Sequence, residues 1–188
     1  KAADIAGAQV LPSVSLVYAK GKSFDDGMYA AVEVALEDSF GVLKMGKPEF
    51  LRAILGRLQD RHDSTRGFAR QAYAQAIGCV ASALVVGGDY DASGLPSDVI
   101  IDERVGRKPI GCFTWNDELT GIFRRDTALQ ERCDPAMPRT VGGAVAICDV
   151  LTSDPELLAT YERLRLIYAR LTNRMVGLTA MNVMLEVK

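Results

Sequence analysis

Histidine is almost absent from this 188-residue chain, with His62 the only one. That excludes triads built on a histidine base, and histidine-rich zinc or haem sites. His62-Asp63 has the pairing used by metal-dependent phosphohydrolases, but that chemistry needs further histidine ligands. His62 therefore reads as a polar residue at a helix end, where it can help the C-terminus. Cysteine is scarce and scattered. Cys79, Cys112, Cys133 and Cys148 form no Cys-x-x-Cys pair, so zinc-ribbon and thioredoxin-type readings fail. Cys79 and Cys148 lie in apolar helical patterns and read as core thiols. There is no Gly-x-Gly-x-x-Gly, no Walker pattern and no flavin, pyridoxal or haem motif, so no cofactor is expected from a motif. A net charge of -2 gives no reason to expect a global polyanion partner. Aromatics are 7% of the chain, with a single tryptophan, Trp115. No internal repeat, low-complexity tract or long linker is present, and no basic stretch followed by a compact apolar core is visible as a signal peptide. The chain starts at Lys1, as a mature form or a fragment of a larger protein would.

What the chain has is helical periodicity. Length and composition, with 48% hydrophobic and 24% charged residues, suit one globular domain over residues 1–188. Phe24, Met28, Ala31, Val32, Ala35, Leu36 and Leu43 recur with a 3.6-residue period, and Ser23 sits where a cap would. The alternation Val14-Ser15-Leu16-Val17-Tyr18 before them suggests a strand. Phe50, Leu51, Ile54, Leu55 and Leu58 mark a second helix from Pro48 to about Arg61. A third runs from Ser64 to about Val86 and stops at Gly87-Gly88. Its uncharged run, Gln71 to Gly88, approaches membrane-spanning length. It is rich in alanine and glycine, however, and reads as a buried core helix, so no membrane span is expected.

Val99-Ile100-Ile101 and Pro109 to Phe113, separated by turn residues, suggest a small β-hairpin near residues 98–113. Thr114 then caps a helix with Leu119, Ile122, Phe123 and Leu129 on one face. Thr140 starts another, and Asp154-Pro155 starts a last long one. Asp134-Pro135 to Pro138 forms the loop before Thr140, and the tail from Met175 to Lys188 is apolar. The expectation is a mainly α fold, a bundle of five or six helices with one small hairpin.

Charge is unevenly spread. Lys44 to Arg70 holds seven basic residues against three acids, and Gly87 to Asp126 holds eight acids against five basic residues. Within the acidic island, Asp89-x-Asp91-x-Ser93-Gly94 matches the first half of a calcium loop. Oxygens fall at its first, third and fifth positions and a glycine at the sixth. The second half fails, since Ile100 stands where a bidentate Glu is needed. Asp89, Asp91 and Ser93 are the metal-ligand candidates, and Ca2+ is the ion they would take. Asp98, Asp102 and Glu103 extend the set to carboxylate catalysis, if they converge. Arg57, Arg61, Arg66 and Arg70 are the candidates for an anion site, with Arg66 and Arg70 one turn apart. Sparse aromatics and overall acidity argue against nucleic acid. Arg139-Thr140-Val141-Gly142-Gly143 could offer free amides to an anion, or bring two helices close.

Three readings of function follow. The first is a soluble helical binding or scaffold module that forms homo-oligomers or belongs to a larger protein. The second is a carboxylate-based, metal-dependent enzyme using the 89–103 loop. The third is an anion or nucleic-acid binder using the basic segment 44–70.

Overall fold

A computed structural model describes residues 14–39, 41, 43–104, 106–132, 140–171 and 184. Six α-helices lie among them: α1 (Val14–Glu37), α2 (Lys47–Ser64), α3 (Gly67–Gly87), α4 (Asp117–Arg132), α5 (Val141–Ser153) and α6 (Pro155–Leu171). A short 3-10 turn, Gly111–Thr114, precedes α4. The mainly α class holds, and no described residue is in a strand.

Helix α3 is the centre. Ala74 and every residue from Ala76 to Leu84 are buried, and α2, α4 and α5 pack around them. Small side chains make this possible. A Cβ on Gly121 of α4 would stand 2.7 Å from the carbonyl oxygen of Gly87, so α3 and α4 nearly touch by backbone there. The α2 stripe of Phe50, Leu51, Ile54, Leu55 and Leu58 is buried against α3, while Arg52, Arg57 and Arg61 stay exposed. Pro48 lies in the first turn of α2, where its missing N–H costs nothing. Helix α3 ends as its glycines predict. Gly88 takes a left-handed conformation (φ 84°), its N–H bonds to Val85 O, and the Asp89 N–H bonds to Leu84 O. A second, smaller apolar cluster joins Ala30 of α1 to Cys112, Leu119 and Ile122.

The hairpin expected near residues 98–113 is not formed. Val99 and Ile101 pack on the main core instead, and the Asp102 N–H donates to Ser82 Oγ at 3.0 Å. Val99 and Ile101 thus lie against the helical core, while Ile100 and Ile110 of the same segment are exposed. Val14 to Tyr18 is also not a strand but the first turns of α1, and Ser23 lies inside that helix. Five alternating residues are too few to outweigh the i, i+3, i+4 spacing of Val14, Val17 and Tyr18. The cap of α4 is Asn116, whose Oδ1 accepts the Leu119 N–H at 2.8 Å, while Thr114 bonds back to Gly111 O. Asp154 caps α6 by accepting the Glu156 N–H at 3.0 Å. Cys79, expected as a core thiol, is buried but disulfide-bonded. Cys133, the Asp134–Pro138 loop, Arg139 and, apart from Met184, the tail from Met175 to Lys188 lie outside the described residues.

Candidate functional site

The proposed calcium ligands do not share a centre. The Asp89 carboxylate turns inward and accepts Arg125 Nη1 at 2.9 Å. Asp91 turns back on its own loop, accepting the Ser93 N–H at 3.1 Å and the Ser93 hydroxyl at 3.0 Å. Asp98 and Asp102 take separate partners. Asp98 meets His62 and Arg70, and Asp102 meets Arg132 at 2.6 Å. Among the described residues no three His, Cys, Asp or Glu side chains are gathered to hold a metal.

Three of the four anion-site arginines are engaged with carboxylates. Arg57 pairs with Asp154 at 3.1 Å, Arg61 lies 3.9 Å from Asp149, and Arg70 pairs with Asp98 at 3.1 Å. Arg66 stands exposed at the N-terminus of α3. The Gly143 N–H donates to Gln75 Oε1 at 3.0 Å, and Gly142 packs on Ala72, so these glycines bring α5 against α3.

His62 is fully buried rather than set on a helix surface. Its Nδ1 lies 3.0 Å from Asp63 Oδ1 and its Nε2 3.1 Å from Asp98 Oδ2, so the ring ties the end of α2 to the loop after α3. The Arg70 guanidinium and then His62 hold the Asp98 carboxyl below the usual carboxylate range. Asp98 also lines an open cleft of about 590 Å³ with Phe68, Gln71, Gln75, Ile100 and Arg132.

The most elaborate polar structure was not signalled by any motif. Arg125 is 1% exposed, and its two terminal nitrogens fork onto Glu37 at 2.7 and 2.5 Å. Nη1 also reaches Asp89, and Nε reaches Asp126 at 3.3 Å. Asp126 in turn accepts Lys47 Nζ at 2.6 Å. Lys47 also bonds Glu33 at 2.9 Å and the Tyr168 hydroxyl at 2.8 Å. Tyr168 closes the ring by donating to Glu33 at 2.8 Å. Burial pushes the Lys47 pKa down, but Asp126, Tyr168 and Glu33 outweigh it and leave the ammonium above its ordinary value. For Arg125 burial is likewise overcome by Glu37, Asp126 and Asp89. Burial raises the Tyr168 phenol, so it keeps its proton as a donor.

Every side chain of this network has a partner, as a buried charge requires. Its role is visible in where its members lie. Glu33 and Glu37 belong to α1, Lys47 to α2, Arg125 and Asp126 to α4, and Tyr168 to α6. The network bolts the C-terminal half of α1 to the body, helped by the Tyr29 hydroxyl on Leu171 O at 3.1 Å.

That leaves the other half of α1 projecting. Val14 is 86% exposed, Val17 59%, Tyr18 73%, Phe24 66% and Met28 49%. These five fall on one side of the helix and Leu16, 51% exposed, on another; large apolar side chains left in water together mark contact sites. The comparisons with known proteins are silent: no family model, no curated protein and no solved structure matches this chain. No helix among the described residues is long and apolar enough to cross a membrane.

Proposed function

We propose that the chain is a helical interaction module whose contact surface is the projecting, apolar N-terminal half of α1. The supporting observation is the exposure of Val14, Val17, Tyr18, Phe24 and Met28 on a helix whose other end is held by buried ion pairs. Leaving such side chains in water forgoes roughly 1.5–3 kcal/mol each relative to full burial. A partner would recover part of that. The rigid anchor helps, because a pre-ordered helix loses less entropy on binding.

The reading is tested by placing a photo-cross-linking amino acid at position 17 or 24 in cells that make the protein naturally, with position 163 on α6 as an exposed control. Adducts should form at 17 and 24 and not at 163. No adduct at either α1 position would overturn the reading.

A further inference from the structure

Exposure does not single out one face of α1, since every residue from Val14 to Asp25 is exposed, but the apolar spacing does. Val14, Val17, Gly21, Phe24, Met28 and Ala31 are spaced by 3, 4, 3, 4 and 3 residues, and all six are exposed. That is the a/d seam of a two-stranded coiled coil. The residues of α1 that meet the body, Ala30, Glu33 and Leu36, lie on the opposite side of the helix. One helix therefore carries apolar residues on two faces, and among the described residues only the face with Ala30 and Leu36 is buried.

Gly21 supports the same view. It sits in the helix interior, where glycine costs roughly 1 kcal/mol against alanine. Nothing lies within 4 Å of where its Cβ would be, so packing within the chain does not call for it. In a parallel pair, Phe24 at a d position enters a hole formed by residues 21, 24, 25 and 28 of the other helix. A glycine at 21 makes room for two phenylalanine rings in that layer.

The flanking charges choose the occupant and its direction. With Val14 as a, Lys20 falls at g and Asp25 at the following e. A g residue faces the next e residue of a parallel partner, so two copies in register would make Lys20–Asp25 pairs on both flanks. An antiparallel pair would set Lys20 toward Gly27 and Asp25 toward Tyr18, with no charge match. The seam lies away from Ala30, Glu33 and Leu36, the α1 residues buried against the body, so the body does not occupy the seam.

We infer that the partner of the α1 surface is a second copy of this chain, bound as a parallel, in-register pair of α1 helices. This rests on the interaction-module reading and specifies its partner. The seam covers 18 residues, about 27 Å of helix. It is shorter than the three to four heptads that mark a self-sufficient coiled coil, so the expected dissociation constant is on the order of 10 μM.

Sedimentation velocity of the whole chain, over roughly 1 to 300 μM, should show a monomer passing to a dimer. Phe24→Asp should abolish the dimer. Val17→Asp, placed far from the body, should do the same and guards against a folding defect in the first variant. Lys20→Glu should weaken association roughly fivefold or more, and adding Asp25→Lys should restore it. Val17→Cys should give a reducible dimer on mild oxidation that the parent chain does not give. A monomer at every concentration, or a dimer indifferent to both aspartate variants, would overturn the inference. So would a charge swap without rescue, or failure of the cysteine pair to form. In the photo-cross-linking experiment, adducts only with other proteins would overturn the second-copy inference and leave the interaction-module reading standing. Absence of adducts would remove both.

Discussion

Arg125 shows how much one side chain can organise. It is buried in contact with Glu37, Asp89 and Asp126, acids that come from three different parts of the chain. Arg125→Leu leaves those carboxylates without their shared cation. Breaking a buried pair in this way costs about 3–5 kcal/mol, a loss to be read from urea unfolding midpoints. Arg125→Lys should recover little of it, because a single ammonium cannot reproduce the two-nitrogen fork on Glu37. A midpoint for the lysine variant equal to that of the parent chain would show that the fork is unimportant. A trace of this site was legible in the sequence. Arg125 falls on the apolar stripe of α4, three residues after Ile122 and four before Leu129, and Glu33 falls between Ala30 and Leu36. Charges on an apolar face signal buried pairing. The partners were not legible, since Arg125 and Glu37 are 88 residues apart.

Two glycines separate what a helix wants from what its packing allows. Gly121→Ala puts a methyl group 2.7 Å from the Gly87 carbonyl and must push α4 away from α3. Such overpacking should lower stability by about 1–3 kcal/mol. Gly21→Ala meets open space and should stabilise the monomer by about 0.5–1 kcal/mol. Thermal unfolding at low protein concentration, where any dimer is dissociated, reads both effects. Equal shifts in one direction would contradict this assignment of the two positions. Helix identity was the most legible level. The apolar stripes of α2 and α3, the Gly87-Gly88 stop and the Asp154-Pro155 start all follow from local chemistry. The hairpin was misread because a short apolar run between turns serves equally as groove filler, and only the neighbouring α3 decides between the two.

The pH response belongs to the whole molecule. Asp98 is held below the usual carboxylate range by Arg70 and His62, and Asp102 by the Arg104 N–H and the Arg132 guanidinium. Asp154 is raised by burial but lowered further by the N–H groups of Leu157 and Glu156. A carboxyl with a depressed folded pKa adds stability above its unfolded value, near pH ~4, and loses it as pH falls through the folded value. The contribution of these three carboxyls should therefore be level from pH 7 to 5 and fall below about pH 4. Asp98→Asn should make that fall shallower. At the other end, burial and Asp149 push the Tyr73 phenol up to about 12. Its contribution is complete below the unfolded value near pH ~10 and is lost as pH rises from there through about 12. Urea midpoints across this range check both limbs, and an acid limb unchanged in Asp98→Asn would discount the Asp98 contacts.

At this scale the division between sequence and structure is physical. Periodicity and turn chemistry act over a few residues, so the sequence by itself determined the helical class, most helix limits and the burial of the middle of the Gln71–Gly88 run. Ion pairing and exposure depend on what arrives from far along the chain. Only the tertiary structure decided that Asp89 meets an arginine rather than joining Asp91 and Ser93. It likewise decided that His62 is buried between two carboxylates, and that α1 turns a second apolar face to water.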